Sequence, residues 1–417
     1  MEPVDIFAIV LGLAVIIGCV NHVWIRLPPA IGMLLGSLVA SLAVVCADRL
    51  FHLHALSWFR GTLDAADLPQ FFLDAVLALL LFAGSLHVDV AELNQRRWVI
   101  LLLATASVVI ATAVFCYGVS LLFALCALPV PLAWCFVLGA ILAPTDAVVV
   151  ENLLRKTGLP PSLRAAIVGE SLFNDGAGVV LFLLALGVTQ GDKIHIGHGD
   201  VLFALMREIA GGAAIGVVGG WMASHLLRRI DDSGLQLLIS LALVLGCYRI
   251  ALLAELSGPI AVVSAGLCLG SPSPRFNMTP DARRTLIGFW SPLNQLLNTM
   301  LFLLMGLQIL GLVATSAQLV PAILAIPLAI LSRLVSVAVP LALTQRDPRE
   351  TLRGVVVLTW AGLRGGVSIA LAMTLPDSPW RTELLIVTYA VVIFTIVVQG
   401  LTFSRVLRAT YAGGTPA

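Results

Sequence analysis

The sequence predicts an all-α polytopic membrane protein with about thirteen transmembrane helices, and three observations carry that expectation. The chain is 59% hydrophobic and only 11% charged, where a soluble domain carries roughly 25% charged residues, so it lacks the polar groups to cover a surface in water. Its apolar residues fall into runs that approach or exceed the ~20 residues a crossing needs. Its bases gather in alternate connections between those runs, as the positive-inside rule requires.

The runs cover approximately 6–24, 28–50, 67–87, 98–126, 131–152, 162–189, 201–227, 235–254, 257–271, 286–312, 318–344, 353–375 and 383–407. The first follows Met1–Asp5, which holds two acids and no base; that is no secretory n-region, so the run is read as a span rather than a cleaved signal. The ninth is short, bounded by Gly258-Pro259 and Ser271-Pro272. Connections are brief apart from the loop around Phe51–Ala66, and neither a soluble domain nor a regulatory tail is expected. With the N-terminus outside and the C-terminus cytoplasmic, sixteen bases fall in inner connections and four (Arg49, Arg60, Lys193 and Arg381) in outer ones. Trp24, Trp98, Trp134, Trp221, Trp290 and Trp380 fall near segment ends, as aromatic-belt residues do. The seven cysteines show no C-x-x-C pair and no neighbouring His cluster, so they read as packing residues in helices rather than disulfides or metal ligands.

Four bases remain inside segments. Arg207 and Arg249 lie toward outer ends, where long side chains snorkel. Arg333 and Arg364 sit deeper, where an unpaired charge costs at least a few kcal/mol, and both need partners.

Segment five ends in Pro144-Thr145-Asp146. Proline removes a backbone hydrogen bond, and irregular backbone at membrane depth survives only where protein or a watery cavity receives it. Transporters use such breaks to aim carbonyls and helix ends at an ion. Segment six contains Gly169-Glu170-Ser171-Leu172-Phe173-Asn174-Asp175-Gly176. Glu170 and Asn174 are four apart, as are Ser171 and Asp175, which puts all four on adjoining stripes of one helix. Their oxygens suit a hard cation such as sodium rather than zinc or copper. Segment twelve carries Gly362-Leu363-Arg364-Gly365-Gly366, the mark of a second interrupted helix or a very close helix contact. Segments five and twelve are seven spans apart, and an odd offset inverts direction across the membrane, as in inverted-repeat transporters. Arg333 in segment eleven is the expected neutraliser of Glu170, leaving Asp175 and Asp146 to titrate. Burial raises a carboxylate's pKa and a nearby cation lowers it; a site poised between the two holds either a proton or a cation.

At these residues the chain closely resembles the NhaP/NHE family of monovalent cation–proton antiporters, in its Asn-Asp branch. The resemblance rests on Pro144–Asp146, the Gly169–Gly176 run with its Asn174-Asp175 pair, Gly362–Gly366 and Arg333, and follows span order over nearly the whole chain. It implies an inverted-repeat antiporter fold with two crossing broken helices, occupying 1–417 as a single membrane transporter domain. Within it, 1–97 and 201–285 would be mostly dimerisation or scaffold helices, and 98–190 and 286–407 mostly the moving ion-transporting core. It implies Asp175 as principal ion and proton carrier and Na+ site, helped by Asp146, Thr145 and Ser171. Asn174, Glu170, Arg333 and Pro144 would structure the site, and Gly362, Arg364, Gly365 and Gly366 form the second break. It further implies alternating access in a homodimer of the bacterial cytoplasmic membrane, without a resident cofactor. Asn in the pair, where other branches have Asp, points to electroneutral exchange of one proton for one sodium. One departure stands out: Ala83 follows Phe82 where many prokaryotic relatives have Glu, which removes a possible ligand. His87 nearby reads as an ordinary interfacial His, with a pH-sensing role as the alternative.

A potassium–proton antiporter is the nearest alternative, since the motif does not measure cavity size. A channel would favour rings of identical groups rather than unlike charges on two helices. A membrane enzyme finds no H-E-x-x-H, G-x-S-x-G or P-loop, and no basic patch points to nucleic acid.

Overall fold

The structure is a computed structural model describing residues 3–51, 75–86, 88, 90, 93, 96–146, 161–190, 198–271, 278–308, 316–345 and 347–411. Among these the regular elements are all helices. They are α1 (Pro3–Val20, running into a π turn at Asn21–Ile25), α2 (Pro29–Phe51), α3 (Leu77–Leu86), α4a (Arg97–Ala104), α4b (Ala106–Leu125), α5 (Leu132–Leu142) and α6 (Pro161–Thr189). There follow α7 (His198–Leu227), α8 (Ser233–Leu253), α9 (Gly258–Gly270), α10 (Pro280–Gln308) and α11 (Ser316–Thr344). The chain closes with α12a (Pro348–Ala361), α12b (Gly366–Met373), α13a (Arg381–Phe394), a π turn at Thr395–Gln399, and α13b (Gly400–Tyr411).

Each expected segment holds a helix. Among the described residues eight helical runs are long and apolar enough to cross a membrane, and the α12 pair, bent by 49°, makes a ninth if counted as one span. Helices α3, α5 and α9 are apolar but shorter, and the ends of α5 and α9 have local causes. Helix α5 ends at Leu142, with Ala143 still in helical backbone, and Pro144 then has no N–H with which to continue the ladder. Helix α9 starts at Ser257, whose hydroxyl accepts from the Ile260 amide, with Pro259 in its first turn, where a missing N–H costs nothing. Helix α10 has the length but carries Asn294, Gln295 and Asn298 within it.

Close backbone approach sets the packing. Gly212, Gly216 and Gly220 recur every four residues on α7 and lay it against α9; a Cβ at Gly212 would stand 2.5 Å from the Ser257 carbonyl oxygen. Small residues at this spacing let membrane helices touch backbone to backbone. On α2, Ser41 donates to the Gly306 carbonyl of α10 at 2.8 Å. On α5, Gly139 faces the Thr112 carbonyl of α4b at 2.6 Å from where a Cβ would be.

The fourth segment is the expected span, Arg97–Leu125, with an irregular turn at Thr105, whose hydroxyl donates to the Leu101 carbonyl at 2.7 Å, a side-chain bond known to bend helices. Two expectations are corrected. Trp290 is no belt residue. It is fully buried, donates Nε1–H to Ser240 Oγ at 3.1 Å and packs on Phe82 with ring centroids 4.7 Å apart, its one polar atom met by a partner from α8. Cys126 lies in the turn that ends α4b rather than in a helix. Trp24, Trp98 and Trp221 are exposed, as are Arg207 and Arg249. His87 lies outside the described residues.

Candidate ion-binding site

The two breaks meet. Beyond Leu142 the chain leaves the helix, and the Asp146 amide donates to the Leu363 carbonyl at 2.7 Å, tying the end of α5 to the gap between α12a and α12b. Arg364, 2% exposed, extends this crossing: its Nη1 donates to the carbonyls of Ala143 at 2.6 Å and Pro144 at 3.0 Å. A helix that stops in the membrane leaves carbonyls without partners and a negative dipole end. A guanidinium, with five donors and a fixed charge, answers both. The Arg364 amide in turn donates to Thr395 Oγ1 at 3.2 Å, at the start of the π turn in the last span.

Two glycines of the second break make room for neighbours. A Cβ at Gly365 would overlap the Asp146 carboxyl, and one at Gly362 would stand 2.5 Å from Arg333 Nε. The same motif therefore serves two separate acidic partnerships.

Helix α6 brings its polar stripe to the first break. Asn174 Nδ2 donates to Thr145 Oγ1 at 2.7 Å, the Thr145 amide donates to Asn174 Oδ1 at 3.4 Å, and Ser171 Oγ donates to the Thr145 carbonyl at 2.6 Å. These bonds hold the irregular backbone beside Asp175, one turn beyond Ser171. Asp175 is 8% exposed, and its Oδ1 has no hydrogen-bond partner among the described residues. Asp146 is close enough for the two carboxylate charges to interact.

Glu170 has a different setting. Both its oxygens meet Arg333: Nη2 donates to Oε2 at 2.9 Å and Nη1 to Oε1. Arg333 Nη2 also reaches the Leu358 carbonyl at 3.3 Å, so the pair joins α6, α11 and α12a. Both residues are buried.

The structure thus gathers Pro144, Thr145, Asp146, Ser171, Asn174, Asp175, Arg364 and Gly365 at the crossing. It sets Glu170 and Arg333 with Gly362 in a second cluster, and places Gly366 against Leu301. Ala83 is fully buried in α3. The acceptors of Arg364 and the hydroxyl of Thr395 were not singled out from sequence; the π turn, a form frequent at functional sites, leaves no compositional mark. Among the described residues no group of three or more His, Cys, Asp or Glu side chains comes together as a transition-metal site would need. The oxygens at the crossing are instead those a hard cation takes.

Comparison with known proteins fixes the family. The model of the transmembrane sodium/hydrogen exchanger family matches residues 8–409. The chain belongs to the sodium/hydrogen exchanger family. Among relatives of this exchanger chain, the Na(+)/H(+) antiporter NhaP of Pseudomonas aeruginosa is 37% identical over 98% of this chain and 97% of its own length. The Na(+)/H(+) antiporter NhaH of Halobacillus dabanensis is 30% identical over 91% of each. The solved sodium proton antiporter MjNhaP1 of Methanocaldococcus jannaschii shares the fold, with a TM-score of 0.72 at 19% identity over 98% of this chain and 96% of its own. The exchanger family is one of multi-pass membrane transporters, and the helical architecture above is of that kind.

Proposed function

We propose that this exchanger-family chain trades Na+ or Li+ for H+ across the bacterial cytoplasmic membrane by alternating access. The observation that carries the reading is the buried Asp175 oxygen with no partner among the described residues, set beside a second carboxylate at the crossing of two broken helices. Buried polar atoms are nearly always satisfied, so this oxygen needs a proton, a cation or water, and competition between proton and cation for one carboxylate is the essence of exchange. Thr145, Ser171 and Asp146 supply further oxygens; Asn174 orders the break; Glu170, held by Arg333, stays out of the exchange. Neutral Asn174 and paired Glu170 make the exchange electroneutral.

In this reading 98–190 and 286–407 form most of the moving core. The helices of 1–97 and 201–285 form a scaffold through which two copies dimerise. The base distribution puts the N-terminus outside and the C-terminus in the cytoplasm. No resident cofactor takes part; sodium and protons are cargo. The test is proton flux in everted membrane vesicles carrying the chain, with sodium, lithium and potassium chloride added in turn. Sodium and lithium should dissipate the proton gradient and potassium should not. A response to potassium alone would make the cargo K+, and no response to any of the three would overturn exchange.

A further inference from the structure

Away from the carboxylates the helices enclose a second space, a crevice of about 940 Å³ between α4a and α6 on one side and α7 and α9 on the other. Its walls are apolar, with Leu101, Phe173, Ala177, Ile209, Ala213 and Ile260 among them. Phe173 and Ala177 each lie two residues from Asp175, roughly 160° round the helix from it at 3.6 residues per turn. The crevice therefore backs onto the face of α6 turned away from the ion-site carboxylate. Of its lining residues Trp98 and Leu101 are 66% and 51% exposed, and apolar side chains exposed on a membrane-spanning helix meet hydrocarbon. The charge in the described lining is Arg97, its guanidinium 5.7 Å from the Trp98 ring centroid; the neutral Ser271 at the end of α9 also lines the crevice.

We infer that this crevice holds one acyl chain of an anionic glycerophospholipid from the cytoplasmic leaflet, with the lipid phosphate at Arg97. Depth, wall and charge agree on that occupant. From Ile260 to Ser271 α9 advances about 16 Å at roughly 1.5 Å per residue, near half of the ~30 Å hydrocarbon thickness, which is the reach of one leaflet. Among the described residues the walls between the two ends offer water only the hydroxyls of Thr105 and Ser264, whereas an acyl chain gains dispersion contacts that an empty groove forgoes. Since hydrocarbon gains little by moving from bilayer to protein, selection falls to the headgroup. An arginine beside an interfacial tryptophan at the inner end meets a phosphate there, as basic pockets between transmembrane helices do. The inference stands on the crevice and does not depend on the exchange reading.

The experiment uses the full chain in vesicles of phosphatidylcholine and phosphatidylglycerol. A trace lipid of either headgroup bears a photoreactive diazirine on its acyl chain, and labelled peptides are mapped by mass spectrometry. Ala177 and Ile260 are 6% and 5% exposed, beyond reach of surrounding lipid, so label there reports a chain inside the crevice. The phosphatidylglycerol probe should label them at least fivefold more than the phosphatidylcholine probe. Ala213→Trp, which fills the crevice, should cut that label at least fivefold while leaving the outward Leu238 and Leu253 labelled as before. Ala104→Phe, approaching from the opposite wall, serves the same end should the first variant fail to fold. Arg97→Gln should erase the headgroup preference. Label confined to outward residues, or unmoved by both filling variants, would overturn the crevice as a chain site. Equal labelling by the two probes, or a preference that survives Arg97→Gln, would overturn the anionic headgroup.

Discussion

Glu170 and Asp175 stand five residues apart on one helix, and the fold treats them in opposite ways. Glu170 meets the arginine fork of Arg333, with a carbonyl of a third helix on the same guanidinium. Asp175 has another carboxylate, that of Asp146, as its charged neighbour, and its Oδ1 keeps no hydrogen-bond partner among the described residues. A buried carboxylate against a guanidinium is held in one state; a buried carboxylate without one is left to exchange what it binds. The same residue chemistry becomes a joint in one place and, in the exchange proposed above, a carrier in the other. What decides between them is whether a cation is built into the protein.

The largest effect expected is on transport by Asp175→Asn. Exchange should vanish, while the melting temperature of the purified protein stays level or rises, because Asn keeps the side chain's shape and replaces a carboxylate whose Oδ1 has no partner among the described residues. Sodium-driven proton flux at the wild-type rate would break the comparison, and so would a stability loss like that at Glu170.

Next come the joint variants. Removing one partner of a buried pair leaves an uncompensated charge, at a cost of around 3–5 kcal/mol. Glu170→Ala and Arg333→Ala should each lower the melting temperature and the yield in membranes strongly. The double variant should lose far less than the sum, and thermal unfolding of the three proteins measures the coupling. Strictly additive losses would dissolve the joint.

A subtler test moves Asp146 alone. The methyl of Gly365→Ala overlaps the Asp146 carboxyl, so that group must shift, and a misplacement of about 1 Å costs up to ~100-fold where geometry is tight. The apparent affinity for sodium should fall tenfold or more, with a melting temperature much closer to wild type than that of Glu170→Ala. An unchanged sodium dependence would take Asp146 out of the cation site.

The smallest expected effect is none. If Asp175 is the group that trades one proton for one cation, flux in proteoliposomes clamped with potassium and valinomycin should ignore the imposed potential. The potential acts at about 2.3 kcal/mol per charge per 100 mV, so one uncompensated charge would change the rate severalfold and show that Asp146 titrates as well.

Most of the scaffold was legible because lipid acts on whole stretches of chain. Thirteen apolar runs and the charges between them outlined thirteen helical segments without reference to any contact. The polar stripe of α6 was legible for a related reason: Glu170, Ser171, Asn174 and Asp175 are conspicuous within an apolar run, and helical periodicity relates them directly. The misses share a cause as well. Trp290 near a segment end resembles a belt residue until Ser240 and Phe82 enclose it, and those neighbours come from other segments. The irregular turn at Thr105, within a span that was itself expected, involves one side-chain hydroxyl, invisible to any average over a span. Arg364 declared a need for partners, yet its acceptors are main-chain oxygens more than two hundred residues earlier, and every residue type carries such an oxygen.

That separation bears on how the protein is made. Glu170 is synthesised 163 residues before Arg333, and Ala143 is synthesised 221 residues before Arg364. At about 5–20 residues per second, ribosomes leave Glu170 waiting roughly 8–33 s for its partner, and the open end of α5 waits longer. For that interval an acid and a frayed helix end belong to segments that should already be leaving the insertion machinery. The half-made chain must therefore be kept beside water, lipid headgroups or the insertion machinery itself until its last third arrives, and the exchanger closes around its own centre late in its assembly.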